Sequence, residues 1–456
     1  MITYLNWIIL CYFLVLWIGY ILFLMISIKG IIDKYRLSLE NNVLPLFESR
    51  SCLPVTVIMP VKNYAKKINL AIDAILQSDY PGIYLTVVND DSTDDTLQQL
   101  IHDYQLHPII TAFSNTLVSA PIKAVYESSV HQRLRVIDKL HYDKIASGAD
   151  AINAGLNICK TPLFMTIDSD TIVEKNTISA MIFNYLTLAH CIAVGGNIYI
   201  PDGPSTDNQI SYTIPKNINI GVQVIEYLRS FFYGHEGWSK IGGAMCHSGA
   251  CSLFEKRAVL ELGGYDRDNY SYDSEIIMNL HHFMRKNAYP YTIAYAASAI
   301  AWSSQSSSLR SLWNQRNRWQ RGLWRSFYKH IGMTFNPRYG VTGMLAFPFY
   351  FFFEILGPVM EGCAYLLLLY IMFTRGIALN QLGWFLTMAW SFLYLITLSC
   401  VLLNYMTYQK YYRFRDLFHF MGLSFAEIIF FRPFRGINAV YSTLQFTWNR
   451  LWGRCL

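Results

Sequence analysis

The sequence predicts an α/β domain, a mostly parallel sheet with flanking helices, combined with α-helical transmembrane and interfacial segments. Three observations predict it. Both ends of the chain hold long apolar runs, the middle alternates short β-branched runs with helical stretches, and acidic clusters follow directly on two of those runs. Charged residues are 15% of the 456 and hydrophobic ones 53%, where soluble domains carry about 25% charged residues. That excludes a disordered chain, a collagen-like chain and a small disulfide scaffold, and argues against a purely cytosolic protein. The net charge is +6, from 37 basic and 31 acidic residues. This points to an anionic lipid surface as partner and to no nucleic acid. The nine cysteines include no C-x-x-C pair and read as reduced packing residues.

Tyr4 to Ile28 carries no charge. At ~1.5 Å per residue this run reaches ~37 Å, enough to cross a ~30 Å hydrocarbon core. A secretory signal would need a basic start and a small-residue cleavage site, and neither is present. Residues 1–30 therefore read as a transmembrane anchor. Lys29, Lys34 and Arg36 follow it, which puts the N-terminus outside and the next segment in the cytoplasm.

Residues 31–335 read as the cytosolic domain. Val55 to Val61 (VTVIMPV) is a buried strand, and Ile68 to Gln77 has helical spacing. Leu85 to Val88 is a second strand, ending in Asn89-Asp90-Asp91-Ser92, with Ser92 as cap of the next helix and Asp95 three residues on. Ala151 to Cys159 is helical, and Leu163 to Ile167 is a strand ending in Asp168-Ser169-Asp170. Strand, helix, strand in this rhythm makes a parallel sheet, whose ligands bind at the carboxyl ends of the strands. Ser303 to Ser308 reads as a mobile loop.

Residues 336–456 read as a membrane region with two spans and interfacial helices. Phe347 to Phe353 is almost wholly aromatic, and Glu354, Pro358 and Glu361 interrupt the region before Gly362 to Phe373. This is one span with a bent or interfacial entry. Leu382 to Asn404 is the next, followed by basic Lys410, Arg413 and Arg415. Asp416 to Phe431 is too short and mixed to cross and reads as an interfacial helix. Arg432, Arg435, Arg450 and Arg454 put the C-terminus inside. The expectation is a multi-pass plasma (inner) membrane protein with three spans, a fourth remaining open.

Asp168 and Asp170, one residue apart on an extended turn, can point to one side. Mg²⁺ or Mn²⁺ takes one or two carboxylates plus substrate phosphates, although D-x-D also occurs in ordinary turns. Asp90 is either a turn residue or a nucleotide contact at the sheet edge. Asp273 precedes a helix over Ile276 to Arg285. It is either a carboxylate favoured by the helix dipole or a base. Gln315-Arg316-Asn317-Arg318-Trp319 suits an amphipathic helix on the membrane, and equally a phosphate fork beside a sugar-stacking ring. His235, His247, His281 and His282 lack metal-site spacing and read as structural.

In order along the chain stand P-V-K-N (Pro60 to Asn63), V-N-D-D-S-T-D (Val88 to Asp94), D-A-I-N-A-G (Asp150 to Gly155) and I-D-S-D-T (Ile167 to Thr171). A-V-G-G (Ala193 to Gly196), E-Y-L-R (Glu226 to Arg229), S-G-A (Ser248 to Ala250), G-G-Y-D (Gly263 to Asp266), Y-D (Tyr272, Asp273) and Q-R-N-R-W (Gln315 to Trp319) follow. Together they resemble the membrane-embedded family 2 glycosyltransferases, which include cellulose, chitin, hyaluronan and poly-N-acetylglucosamine synthases. The resemblance covers residues 53 to 328.

The resemblance implies a GT-A-type catalytic domain and an inverting transfer from a nucleotide-diphosphate sugar, with a UDP-sugar expected. It implies that Pro60, Asn63, Asp90, Asp150, Asn153 and Asp168 bind the nucleotide sugar. Asp168 and Asp170 would hold Mg²⁺ or Mn²⁺, and Asp273 would be the base. Gln315, Arg318 and Trp319, with Ser248 and Gly249, would hold the acceptor and the diphosphate. The acceptor would be a growing glycan or a lipid-linked molecule. Three spans are few for a conduit, so a homodimer or a partner subunit is a further expectation.

Several positions depart from the family pattern. Lys62, Asn63 and Tyr64 stand in place of Tyr-Asn-Glu, and Asp91 replaces a glycine. Gly148 replaces a lysine, for which Lys144 is a candidate substitute, and Tyr272 replaces the acid beside the base. Ser304 and Ser306 stand where Glu and Pro are usual. Two further readings therefore stay open beside a processive synthase. One is a single-addition transferase on a lipid-linked or membrane-proximal acceptor; the other is a degenerate, non-catalytic subunit.

Overall fold

The computed structural model describes residues 2–40, 52–112, 115–141, 147–202, 213–374, 379–408, 410 and 414–451. Lys144, Arg413 and Arg454 lie outside them. Ten strands form one mixed sheet. They are β1 (Val55–Val61), β2 (Ile83–Asp90), β3 (Leu106–Ile109), β4 (Ile122–Ser128), β5 (Leu134–Lys139), β6 (Leu163–Thr166), β7 (Thr171–Val173), β8 (Cys191–Tyr199), β9 (Ser252–Glu255) and β10 (Thr292–Ser303). Their order is β3-β4-β5-β2-β1-β6-β9-β8-β10-β7. Strands β5, β2, β1 and β6 are mutually parallel, and so are β8 and β10. Antiparallel β9 joins the two groups.

The parallel centre follows from composition. β1 is buried along its length except at Pro60, as a strand covered on both faces must be. Pro60 is tolerated in a central strand because β6 pairs only with Val55 to Ile58, so no ladder bond is lost there. The Ile68–Leu76 helix buries Ile68, Ala71, Ile72 and Ile75, one stripe at helical spacing. Phe164 and Phe254, paired across β6 and β9, stack at 5.3 Å.

Two helix starts differ from the sequence expectation. The helix after β2 begins at Thr96, not Ser92. Ser92 instead receives the Asn63 N–H at 3.0 Å, and Asp94 accepts from the Thr96 N–H at 3.1 Å. The side chains of this turn bond locally before the helix can start. The helix bearing Asp273 spans Tyr272–Lys286, so Asp273 lies in its first turn. Ser303 ends β10, and Ser308 caps the Leu309–Lys329 helix by accepting from the Ser311 N–H.

Among the described residues, two helical stretches are long and apolar enough to cross a bilayer, Thr342–Thr374 and Trp390–Thr407. The first is continuous, with π-helical turns at Thr342–Ala346 and Tyr350–Ile355. The Ile2–Glu40 helix packs its later turns on the α/β domain. Phe23 meets Trp238 at 4.2 Å, and Lys34 pairs with Glu236 and bonds the Tyr295 carbonyl, both at 2.6 Å.

An ion network fastens the α/β domain to the C-terminal helices. Glu226, on the Ile218–Tyr227 helix, accepts from Arg316 at 2.5 Å and from Arg435 at 2.9 Å. Burial works against its charge, but Arg316, Arg435 and Arg229 outweigh burial and hold its pKa below the ordinary range. Nearby, Arg229 bonds Glu427, and Arg432 bonds Glu361 at 2.9 Å.

Candidate active site

Because β1, β2 and β6 are parallel neighbours, Asn63, Asp90 and Asp168 emerge at one edge of the sheet. What each does there differs. Asn63 has a positive φ of 54° and ties two loops together, its side-chain Oδ1 accepting from the Thr93 N–H at 2.7 Å. Asp90 is buried and fully engaged. Lys139 and Ser147 bond it, and His141 Nδ1 stands 2.6 Å away. Lys139, itself buried, also meets Asp150 at 2.7 Å. Arg267 reaches Asp150 at 2.6 Å, and the Ala120 N–H donates to it at 3.0 Å. Asn153 is likewise spent internally, exchanging bonds with the Tyr265 backbone at 2.9 and 3.0 Å. Asp90, Asp150 and Asn153 thus brace the cleft wall.

Asp168, Asp170 and Asp273 form a different group. Among the described residues nothing donates a hydrogen bond to the Asp168 carboxylate, and Asp170 accepts from the Thr171 hydroxyl at 3.3 Å. Burial, then the charges of Asp170 and Asp273, push the Asp168 carboxyl up to about 7. Burial also raises Asp170 and Asp273. Asp168, with two carboxylates for neighbours and no donor of its own, is poorly stabilised as an anion, which is an environment that a cation relieves. Among the described residues no three metal-type ligands converge. Asp168 and Asp170 therefore fit a Mg²⁺ or Mn²⁺ that completes its shell with substrate phosphates.

Asp273 takes the Ser274 N–H on Oδ1 at 2.9 Å. Its Oδ2 faces Gly249, 3.8 Å from where a Cβ there would lie. The Ser248–Ala250 turn holds itself in shape, the Ser248 hydroxyl accepting from the Ala250 N–H at 3.2 Å. Behind it, His247 packs on Gly195 and Cys251 on Gly196, which explains the glycine pair in β8.

Gln315, Arg318, Trp319 and Gly322 share one face of the Leu309–Lys329 helix. That face meets the start of the Asp273 helix. A Cβ on Gly322 would lie 2.6 Å from Ser271 Cβ and 2.7 Å from Ser271 N, and the Ser271 hydroxyl donates to the Trp319 carbonyl at 3.2 Å. Arg318 is exposed, and among the described residues no carboxylate pairs with it. Its charge acts on the Tyr272 phenol in the cleft. The Gln315 side-chain oxygen is buried and, among the described residues, has no hydrogen-bond partner. Arg316 lies 4.5 Å over the Trp319 ring.

Lys139, Ser147 and Gly322 were not singled out from sequence. Lys139 closes a strand whose apolar pattern Arg135 and Asp138 interrupt, so the sequence alone does not single it out.

The family model described as "Glycosyltransferase like family 2" matches residues 54–322. This chain belongs to that family. Among its relatives, a poly-beta-1,6-N-acetyl-D-glucosamine synthase of Staphylococcus epidermidis is 23% identical over 281 residues, 61% of this chain and 57% of that protein. The synthase of the same name from Staphylococcus aureus strain COL is 24% identical, over 62% of this chain and 59% of that protein. The chain thus spans less than two thirds of these relatives' length. A solved structure of a Pyrobaculum calidifontis mannosyltransferase in complex with GDP-Man and Mn²⁺ superposes with a TM-score of 0.50 at 15% identity. It covers 90% of this chain and 99% of that one. This likeness bears on the fold, an α/β GT-A-type architecture shared across the family 2 domain.

Proposed function

We propose that this chain is an inverting membrane glycosyltransferase that moves a sugar from a UDP-sugar to an acceptor hydroxyl, extending a β-linked polysaccharide processively. One observation carries the reading: Asp168, Asp170 and Asp273 gather in one cleft, with Asp273 turned toward the Ser248–Gly249 turn and the helix that carries Gln315–Trp319 packed on the start of the Asp273 helix. The names of the relatives make N-acetylglucosamine the first sugar to try. In this reading residues 1–30 anchor the chain, 31–335 form the cytoplasmic catalytic domain, and 336–456 lie in and on the plasma membrane.

Asp273 accepts the proton of the incoming hydroxyl, a poor nucleophile until that proton leaves. Attack from the face opposite the diphosphate inverts the anomeric carbon, so an α-linked donor yields a β-linkage. Arg318 stabilises charge that grows on the departing diphosphate, a contribution larger in the transition state than before it. Asp168 and Asp170 would hold Mg²⁺ or Mn²⁺, which supplies further charge neutralisation there. Trp319 offers a flat ring for the acceptor sugar.

The test is turnover of detergent-purified protein on UDP-N-acetylglucosamine and other nucleotide sugars, with each metal, followed by product sizing. A long polymer is the expected product. A single addition would replace processive synthesis with one-step transfer, and no release of nucleotide diphosphate from any donor would remove the enzymatic reading.

A further inference from the structure

We propose that the Tyr272 hydroxyl is a donor-contacting group, seated over Gly148 on the sugar-diphosphate side of the cleft, where it helps select the donor. The inference rests on the reading of the cleft as a nucleotide-sugar site.

Tyr272 and Asp273 are consecutive in the first turn of their helix, so their side chains leave the axis roughly 100° apart. They reach different atoms. Asp273 Oδ2 faces Gly249, and the Tyr272 ring passes the same glycine, its Cε2 4.0 Å from where a Cβ there would lie, to place its hydroxyl end over Gly148. A Cβ at position 148 would stand 2.7 Å from Tyr272 Cζ and 2.9 Å from Cε1, and closer still to the hydroxyl. Only glycine leaves the phenol this seat. Gly148 opens the Ser147–Ile158 helix, next to Ser147, which bonds Asp90. The hydroxyl is therefore directed to the side of the cleft that Asp90 and Asp168 border.

The ring is held and the hydroxyl is free. Tyr265 stands edge-on to Tyr272 at 6.0 Å. Among the described residues no hydrogen bond engages the Tyr272 oxygen. Burial, then the charges of Asp168 and Asp273, hold its pKa well above the ordinary phenol range, so it keeps its proton and can donate. A protonated, unpartnered hydroxyl on a fixed ring, with carboxylates for neighbours, is suited to an oxygen-rich ligand such as a sugar diphosphate.

The experiment compares wild type, Tyr272→Phe and Gly148→Ala in steady-state turnover, varying donor and acceptor separately and using UDP-N-acetylglucosamine and UDP-glucose. Tyr272→Phe keeps the ring and removes one hydrogen bond. It should raise the donor KM about tenfold, change the preference between the two donors, and leave the acceptor KM and the melting temperature unchanged. Gly148→Ala, which displaces the ring, should reproduce the donor effect. If Tyr272→Phe keeps a donor KM within about twofold of wild type, or changes both KM values together with the melting temperature, the inference is overturned. A wild-type protein that turns over no nucleotide sugar defeats the reading of the cleft instead, and this inference with it.

Discussion

Lys139 Nζ stands 2.7 Å from the Asp150 carboxylate and bonds Asp90 on its other side, with all three side chains buried. One cation holds the ends of β2 and β5 and the Ser147–Ile158 helix against each other. Removing it leaves two buried carboxylates, Asp150 with Arg267 and Asp90 with His141 and a distant Lys62 at 4.0 Å. Lys139→Met is expected to cost about 3–5 kcal/mol of stability, read as a large fall in melting temperature in detergent. An unchanged melting temperature would show that Asp90 and Asp150 do not depend on this lysine.

Asp273→Asn should lower turnover by about 10²–10⁴-fold, the usual contribution of a positioned base, while donor binding measured calorimetrically stays close to wild type. Loss of binding in step with turnover would instead make Asp273 a donor-holding group.

Gly322→Ala puts a methyl into Ser271, where 2.7 Å is left to the backbone nitrogen. The Leu309–Lys329 helix must then move off the start of the Asp273 helix. Overpacking of this kind costs about 1–3 kcal/mol, and turnover should fall by more than that stability loss explains, because the Gln315–Trp319 face moves with the helix. Full activity in a folded variant would disconnect that face from the cleft.

The Asp168 carboxyl, ordinarily near 3.8, is pushed up to about 7 by burial and by the charges of Asp170 and Asp273. A carboxyl whose folded pKa lies above its unfolded one binds its proton more tightly when folded. Its contribution to stability is full below about 4 and is lost as pH rises through about 7. In EDTA the melting temperature should fall across that window, and Asp168→Asn should flatten the fall. Because a divalent cation binds the deprotonated pair, added Mn²⁺ should stabilise more at about pH 8 than at about pH 5. A Mn²⁺ effect independent of pH, or preserved in Asp168→Asn, would argue against this pair as the metal site.

Much of the cleft was legible in the sequence because the short apolar runs Leu85 to Val88 and Leu163 to Ile167 lead into acids, and with Val55 to Val61 they mark three strands of the sheet. Strands such as β4 and β5 escaped notice because charged residues interrupt their apolar alternation, as in Ile122 to Ser128. The division of labour among the acids was not legible. Asp90 and Asp168 have the same local setting, a carboxylate just after a strand. Only the tertiary arrival of Lys139 and His141 makes one of them a brace and leaves the other bare. Ser92 misled for a related reason, since its hydroxyl is taken by a loop 29 residues away in sequence.

The Arg316–Glu226–Arg435 network bears on how the protein can be dissected. The family domain ends at residue 322, which suggests a tidy point for cutting a soluble fragment. Such a fragment would lack Arg435, and with it one of the two arginines bonded to Glu226. It would also strip the cover from the Trp313 ring, which Phe434 meets edge-on at 5.5 Å. The last helix is thus part of the family domain's own upholstery, and a cut at the family boundary would expose stuffing rather than release a finished piece.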